Sequence, residues 1–475
     1  MKISDIFDLD KSQAELDFIN IDPTGDTPLF IDPFFLSKKQ DNWSNSATLT
    51  IRSFFQQVID LIRSGDEEAA KELFEHLGEP NTTCLGRSVG NPRGRGVGDG
   101  DTNKIYDSLL RSRAVQTGLI QDIEDSILFV DHFGKDKLSD MATNIITKHL
   151  IEYTQNQCNL HSIALTPGIS SGYYWNRVSN EWETEHTEML VIDQKKILLV
   201  PKGIVSFSKA YTPEKYYNHF VLEFLQNEHI RIQSSLVQRK TNGSQFVTKK
   251  SIKEVHPQSK DFLRRFTRDH PEILEQFKEI TDIESLSNLE ITDINIRHIL
   301  DELIIKLTGI PSGNETASAY HNTIIGILEI IFYPHLINPI KEKDIHSGRK
   351  RIDISFDNAS KNGIFRRLSE NHRIPCPYVF VECKNYSRDI ANPELDQIGG
   401  RFSINRGQVG FVICRQIDNL KLFIQRCRDT FLDGRGLIIP LVDDDIVLLL
   451  QNHNDWNPEF TERFLSDRIR EITIQ

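Results

Sequence analysis

Cysteine is scarce in this chain, and its spacing fits neither a zinc site nor a disulfide framework. None of the six cysteines forms a C-x-x-C pair; they are Cys84, Cys158, Cys376, Cys383, Cys414 and Cys427. Reduced and buried thiols are therefore expected. No apolar run approaches the roughly 20 residues of a membrane span, and the N-terminus lacks the apolar core of a signal peptide. These absences predict a cytoplasmic protein that does not act in a membrane.

A nucleotide-binding loop of the Walker type is also missing. Residues 84–101 hold six glycines together with Arg87, Arg93 and Arg95, but they contain no G-x-x-x-x-G-K-[ST] motif. Because loops concentrate this composition, a surface loop is the expected structure. Contact of the three arginines with nucleic acid is the alternative.

The length and composition of the chain predict a globular protein with more than one domain. With 475 residues, 38% hydrophobic and 26% charged, it exceeds the size of one ordinary core. Residues 1–308 are predicted to be a mostly helical α+β region for sensing, regulation or nucleic-acid recognition, with a subdomain break near 190–210. After a linker at 309–314, residues 315–475 are predicted to form a second domain.

The charge of the chain is uneven along its length. The net charge is −12, yet residues 341–430 carry 17 Lys and Arg against 11 Asp and Glu, which leaves −18 for the rest. A locally basic surface would help to bind a polyanion. The alternative is an ordinary solvated surface with a small excess of basic residues.

The second domain alternates helical and strand patterns, which predicts an α/β fold with a mixed sheet flanked by helices. Helices are predicted at 316–334, 393–405, 417–431 and 458–472, and strands at 351–356, 378–384, 408–414 and 436–442. A further helix is expected to start at the acidic run 443–445. Residues 360–377 read as a polar insertion.

Two of the predicted strands carry polar side chains suited to metal-dependent hydrolysis. Because strand residues alternate between faces, Glu382 and Lys384 point the same way, and Asp353 lies opposite the apolar face of its own strand. Carboxylate oxygens are ligands that Mg²⁺ prefers, and the carbonyl oxygen of Cys383 could be another. Lys384 would orient a nucleophilic water or neutralise charge on a phosphate.

A lone E-x-K pattern is weak evidence, because an exposed strand face can carry it by chance. Three features strengthen it here. Asp353 precedes it on a separate strand, the strand around Glu382 is otherwise very apolar, and a helix with Gln397 and Arg401 one turn apart follows. Together they predict a built site around Glu382 and Lys384.

These motifs resemble the PD-(D/E)XK, or restriction-endonuclease-like, nuclease superfamily over about residues 316–450. The matching runs are Gly348-Arg-Lys-Arg-Ile-Asp353, Val381-Glu-Cys-Lys-Asn385, Asp396-Gln397 and Arg401-Phe402. The resemblance implies that Asp353 and Glu382 bind the metal, that Lys384 is the catalytic lysine, and that Gln397 is the helix glutamine of many branches. The chain as a whole also resembles bacterial anti-phage defence nucleases with large N-terminal regions.

The sequence departs from the superfamily pattern in two places. The gap between Asp353 and Glu382 is long, and one strand of the superfamily order must lie in the insertion or be missing. The helical glutamate of many members has no clear counterpart: Glu315 comes too early, Glu329 sits among apolar neighbours, and His321 occupies a plausible place.

The sequence thus predicts a metal-dependent endonuclease that hydrolyses DNA, a hydrolase acting on ester bonds, in anti-phage defence. Mg²⁺ is the expected cofactor and Mn²⁺ its expected substitute, with no organic cofactor. The expected mechanism is in-line attack of an activated water on phosphorus. The alternatives are a non-catalytic nucleic-acid-binding, scaffold or sensor protein and an RNA-cleaving, toxin-like effector. A protein partner or a second copy of the chain is left open.

Overall fold

The computed structural model describes residues 1–78, 80–86, 128–129, 134–206, 212–239, 244–285, 296–341, 354–386, 390, 392–453 and 459–474. Asp353, Arg87, Arg93 and Arg95 lie outside these ranges. Among the helices described, none is long and apolar enough to cross a membrane.

Helices dominate the N-terminal region, as the sequence predicts. They are α1 (Ile3–Ile6), α2 (Pro33–Lys38), α3 (Asn42–Ser64), α4 (Glu67–Glu72), α5 (Lys135–Ile145), α6 (Thr147–Leu160), α7 (Pro213–Lys215, continuing through a π turn at Tyr216–Val221 into Leu222–Arg231), α8 (Lys249–Val255), α9 (Lys260–Asp269) and α10 (Pro271–Ser285). A short 3₁₀ turn at Gln13–Glu15 precedes α2.

The strands of this region are short and form small separate sheets. They are β1 (Phe30–Ile31), β2 (Thr166–Ser170), β3 (Tyr174–Asn176), β4 (Glu181–Glu183), β5 (His186–Ile192), β6 (Lys195–Ile197), β7 (Val205–Ser206), β8 (Gln238–Arg239) and β9 (Gln245–Phe246). The longest sheet has the order β2-β5-β6, and the others are two-stranded. The region is therefore α+β rather than wholly helical.

The longest helix, α3, shows how local sequence sets the helix ends. The carboxylate of Asp41 accepts a hydrogen bond from the Ser44 backbone N–H and so caps the first turn. The helix ends at Gly65, whose φ of 83° is left-handed, a conformation that glycine adopts without steric cost. Ile51 and Phe54, on one face, are buried in the core.

A proline separates the two consecutive helices α9 and α10. α9 begins after Ser259, whose hydroxyl accepts from the Phe262 backbone N–H. It ends before Pro271, because proline has no N–H to continue the hydrogen-bond ladder and disfavours helical dihedrals in the residue before it. Proline is well tolerated at the start of α10.

The second region contains the remaining elements. The helices are α11 (Ile296–Gly309), α12 (Ala317–Phe332), α13 (Gly363–Glu370), α14 (Asn392–Gly399), α15 (Leu420–Leu432), α16 (Asp443–Gln451) and α17 (Glu459–Thr473). The strands are β10 (Leu336–Ile340), β11 (Ile354–Asn358), β12 (Tyr378–Lys384), β13 (Val409–Cys414) and β14 (Leu437–Val442).

These five strands form one mixed sheet, as predicted for this region. Their order is β10-β11-β12-β13-β14. The first three strands pair antiparallel, and β12, β13 and β14 pair parallel. β12 is therefore the strand at which the direction of pairing changes. Its central position explains why it is apolar on both faces except near its end.

Strand β10 was not among the predicted strands. Its residues Asn338 and Pro339 are poor strand formers, and Asn338 has a left-handed φ of 52°. The register of β10 against β11 shifts between Ile337 and Ile340, which marks a bulge. Proline is tolerated because β10 is an edge strand. The insertion at 360–377, in turn, contains a helix, α13.

Helices cover both faces of the sheet. On one face Phe332 of α12 stacks on Phe411, with ring centroids 5.3 Å apart. On the other face Phe402, just after α14, packs near Phe380. α14 ends at Gly399, several residues earlier than predicted, and Gly399-Gly400 at its end explains the early stop.

The buried apolar side chains fall into two clusters. One runs from Ile3 to Phe277, and the other from Ile299 to Ile472 with Leu160 added from α6. Helix α11 packs in the second cluster, although the sequence-based boundary placed it in the first region. The first cluster continues without interruption through residues 190–205.

Candidate active site

The end of β12 brings Glu382 and Lys384 together, as the alternation of strand side chains predicts. Their carboxylate Oε1 and ammonium Nζ are 2.5 Å apart. The Glu382 side chain is fully buried, and that of Lys384 is 12% exposed. The ammonium also lies 5.7 Å from the centre of the Tyr386 ring. A buried carboxylate thus stands beside a lysine that reaches the surface.

Gln397 of α14 bridges these two side chains. Its Nε2 donates to Glu382 Oε1 at 2.5 Å, and its Oε1 accepts from Lys384 Nζ at 3.2 Å. α14 packs on β13 and β14, which places its glutamine over the end of β12. The predicted grouping of Glu382, Lys384 and Gln397 is present in the structure.

Arg401 holds the second oxygen of Glu382. Its Nη1 donates to Glu382 Oε2 at 2.5 Å, and the arginine is as buried as the glutamate, at 1% exposure. Its Nε and Nη2 have no hydrogen-bond partner in the described part of the chain. Glu382 is therefore a buried anion with at least three cationic or polar donors around it.

The backbone carbonyl of Cys383 lies on the side of α12. His321 Nε2 is 3.1 Å from this oxygen. His321 is the α12 residue that the sequence analysis named at a plausible place for the missing helical glutamate. The contact ties α12 to the same strand end that carries Glu382 and Lys384.

A second polar group joins α12 to the end of β14. Tyr320 Oη donates to Asp443 Oδ1 at 2.7 Å, and Arg415 Nε lies 3.2 Å from Asp443 Oδ2. Burial raises the pKa of the Asp443 carboxyl to about 6. Asp443 starts α16, as predicted, and its partners show that it braces the strand ends.

Neither candidate for a helical acid belongs to this group. Glu315 is exposed just before α12. Glu329 is buried farther along α12, where its Oε2 pairs with Lys202 Nζ of the N-terminal region at 3.2 Å. Burial raises the pKa of the Glu329 carboxyl. The role of Glu329 in the fold is therefore contact between the two regions.

Asp353, the predicted first metal ligand, lies outside the residues that the structure describes. Its chain neighbour Ile354 pairs with Val381, the chain neighbour of Glu382. Among the side chains that are described, no group of three or more His, Cys, Asp and Glu could hold a metal ion. The Glu382 carboxylate and the Cys383 carbonyl are hard oxygen donors of the kind that Mg²⁺ accepts.

Two members of the site were not identified as such from sequence. Arg401 was noted for its spacing of four from Gln397 and as part of the matching run Arg401-Phe402, but not as a partner of Glu382. The spacing loses its helical meaning because α14 ends at Gly399. The contact between His321 and the Cys383 carbonyl depends on packing between elements 62 residues apart. No local pattern signals such a contact.

Comparison with protein-family models matches part of the chain to a described family. A family model described as a domain of unknown function (DUF8370) matches residues 8–212. No curated protein and no solved structure matches the chain. The matched stretch lies in the N-terminal region and contains none of the site residues on β12 and α14.

Proposed function

We propose that residues 315–475 form a Mg²⁺-dependent nuclease domain of the PD-(D/E)XK type that cleaves DNA. The observation that carries the proposal is the group at the end of β12, in which Gln397 bridges a buried glutamate and a lysine on one strand face. A solvated strand face would not bury Glu382 or surround it with three donors.

The order of elements supports the same proposal. From α12 onward the core elements are helix, three strands, helix and strand, with α13 inserted between β11 and β12. This is the order that the resemblance implies, and β10 supplies the strand that the sequence pattern lacked. It lies before β11 rather than in the insertion.

The oxygen atoms at this strand end are ligands that fit a hard divalent cation. Asp353, Glu382 and the Cys383 carbonyl would hold Mg²⁺, which when bound polarises a phosphate and lowers the pKa of a water. The side chains described around Glu382 are those of Lys384, Gln397 and Arg401. The buried position of Glu382 keeps its carboxylate fixed on the strand.

The remaining side chains would orient the reacting groups. Lys384 would neutralise charge that develops on the phosphate and align the attacking water. Gln397 fixes the lysine and the glutamate relative to each other, and Arg401 prevents rotation of the Glu382 carboxylate. Such positioning is a main source of rate enhancement in phosphoryl chemistry.

The test is cleavage of matched DNA and RNA oligonucleotides by the full chain, with Mg²⁺, with Mn²⁺ and with chelator. We expect metal-dependent cleavage of DNA that Glu382→Ala and Asp353→Asn abolish. Cleavage of RNA alone would move the assignment to an RNA-cleaving effector. Full cleavage by both variants would overturn the proposed site, and an anti-phage role would then lose its chemical basis.

A non-catalytic binding or scaffold role is the second candidate. The observation that favours it is the number of donors around Glu382, since a carboxylate held by Lys384, Gln397 and Arg401 could be purely structural. Calorimetric titration with Mn²⁺ separates the two candidates. No binding that depends on Asp353 and Glu382 would favour the scaffold.

A further inference from the structure

A buried ion pair with the N-terminal region holds α12 near its C-terminal end. Lys202 Nζ lies 3.2 Å from Glu329 Oε2, and both side chains are almost fully buried. The lysine is fixed on its own side as well, since its backbone N–H donates to the Asp17 carbonyl at 2.7 Å and its Nζ to the Ala14 carbonyl at 3.3 Å.

A second contact lies one to two turns earlier on the same helix. Lys11 Nζ donates to the Asn322 carbonyl at 2.8 Å. Gly326 allows this approach, because a Cβ there would lie 2.6 Å from Lys11 Nζ and 3.0 Å from Glu15 Oε1. The N-terminal segment therefore packs directly against the helix backbone.

The same helix reaches the candidate active site at its other end. Tyr320 and His321 contact Asp443 and the Cys383 carbonyl. Eight residues separate His321 from Glu329, about 12 Å along a helix. Since a helix moves nearly as a rigid rod over that length, a shift at Glu329 changes the position of His321 against β12.

We propose that residues 8–212 act as an intramolecular clamp that sets the position of α12 on β12, with Lys202 as its positioning residue. The proposal rests on the proposed nuclease function. The N-terminal residues that make these contacts with α12 lie in the stretch that matches the domain of unknown function. They are Lys11, Glu15 and Lys202. The clamp assigns that stretch a role: to hold the helix that completes the site.

The ionic nature of the contact is what makes it a positioning device. Apolar side chains tolerate sliding, whereas a buried lysine and glutamate must meet, because separating them leaves a charge without compensation. Buried ionic groups can specify one alignment of packed helices in this way. Lys202 and Glu329 therefore define one position of α12 along its axis.

The test uses the full chain with a double variant, Lys202→Met/Glu329→Met, which replaces the ion pair by apolar side chains that can still pack. Lys11→Met, which removes the Asn322 contact and keeps the Lys202–Glu329 pair, is the second variant. Lys148→Met is the matched control, because Lys148 pairs with Glu185 on the surface of the same region. Each protein is assayed for DNA cleavage, thermal unfolding and the NMR signals of the His321 ring.

We expect the double variant to unfold cooperatively, with kcat lowered roughly tenfold, KM for DNA unchanged and the His321 signals shifted. Lys11→Met should shift them less, and Lys148→Met not at all. Folded variants with wild-type His321 signals and wild-type kcat would overturn the clamp. If the wild type itself cleaves nothing, the nuclease proposal fails, and the His321 signals alone decide whether the clamp exists.

Discussion

Two glutamates, Glu382 and Glu329, are buried to the same extent in the second region, yet their surroundings differ. Glu382 receives Lys384, Gln397 and Arg401, and the unpartnered buried atoms beside it are the Nε and Nη2 donors of Arg401. Glu329 receives Lys202, and its Oε1 has no hydrogen-bond partner within the described ranges. Donors are in excess at one glutamate, and acceptors at the other.

The acceptor excess extends through the contact between the two regions. Asp17, Asp41 and Asp357 are buried; the charge of Asp17 acts on Glu329, and the charges of Asp41 and Asp17 act on Asp357. Burial raises the pKa of the Asp17 and Asp357 carboxyls, that of Asp357 to about 8. A donor excess suits a site for a polyanion, whereas an acidic contact contributes to holding the fold.

Removing the N-terminal region should have the largest effect. A fragment of residues 296–475 keeps the second apolar cluster apart from Leu160 but exposes Glu329 and the backbone around Gly326. We expect it to lose cooperative thermal unfolding, measured by circular dichroism, and to be no more active than the full chain. A fragment that melts cooperatively and cleaves faster would show that the N-terminal region restrains the nuclease rather than supports it.

Removing one cation from each glutamate compares the two networks directly. Lys202→Met removes the cation that pairs with Glu329 and leaves the charge of Lys11 as a weaker compensation; it should cost about 3–5 kcal/mol of the free energy of unfolding. Arg401→Met should cost less, because Lys384 and Gln397 remain on Glu382 and two unpartnered guanidinium nitrogens are removed. Urea titration of both variants measures this order, and a larger loss for Arg401→Met would contradict the comparison.

The pH dependence of stability should follow the acidic contact. Because the pKa of Asp357 is raised from 3.8 to about 8, the folded state binds the proton more tightly. The free energy of unfolding should therefore fall as the pH rises from about 4 to about 8. Each pKa unit corresponds to roughly 1.4 kcal/mol.

Asp357→Asn should remove part of that slope, and urea unfolding at pH 5, 7 and 9 measures it. Asp17 and Glu329, whose raised pKa values act in the same direction, would keep the remainder. The exposed Asp261 provides the control variant, Asp261→Asn. An unchanged slope in Asp357→Asn would show that this carboxyl does not carry the raised pKa.

A smaller effect is expected at the brace between α12 and β14. Tyr320→Phe removes the hydrogen bond to Asp443 Oδ1 and should cost about 1.5–3 kcal/mol, as for a bond to a charged group. Arg415 still compensates Asp443, so the domain should fold. Thermal unfolding measures the loss, and no loss would mean that Arg415 alone suffices.

Local patterns in the sequence predicted the parts of this region that depend on local chemistry. The period of two placed Glu382 and Lys384 on one face, and β12 has the predicted bounds of 378–384. Gln397 on the following helix reaches both side chains. The placement of Glu382 and Lys384 follows from strand alternation, whereas the role of Gln397 was implied by the resemblance to the PD-(D/E)XK superfamily.

The parts that were missed depend on pairing between distant segments. β10 is a strand because β11 pairs with it, despite Asn338 and Pro339. Glu329 pairs with Lys202, which is 127 residues away in the chain. The apolar residues next to Glu329 in the sequence therefore did not indicate a charged partner. The identity of the domain as a PD-(D/E)XK nuclease stays a prediction.

The central claim is that Lys384 serves chemistry rather than the fold, and one variant tests it most directly. Lys384→Ala should retain the wild-type free energy of unfolding to within about 1 kcal/mol, because Gln397 and Arg401 still hold Glu382. Measured on the same preparation, its Mg²⁺-dependent cleavage of DNA should be lost. A folded Lys384→Ala protein that cleaves at the wild-type rate would contradict the account.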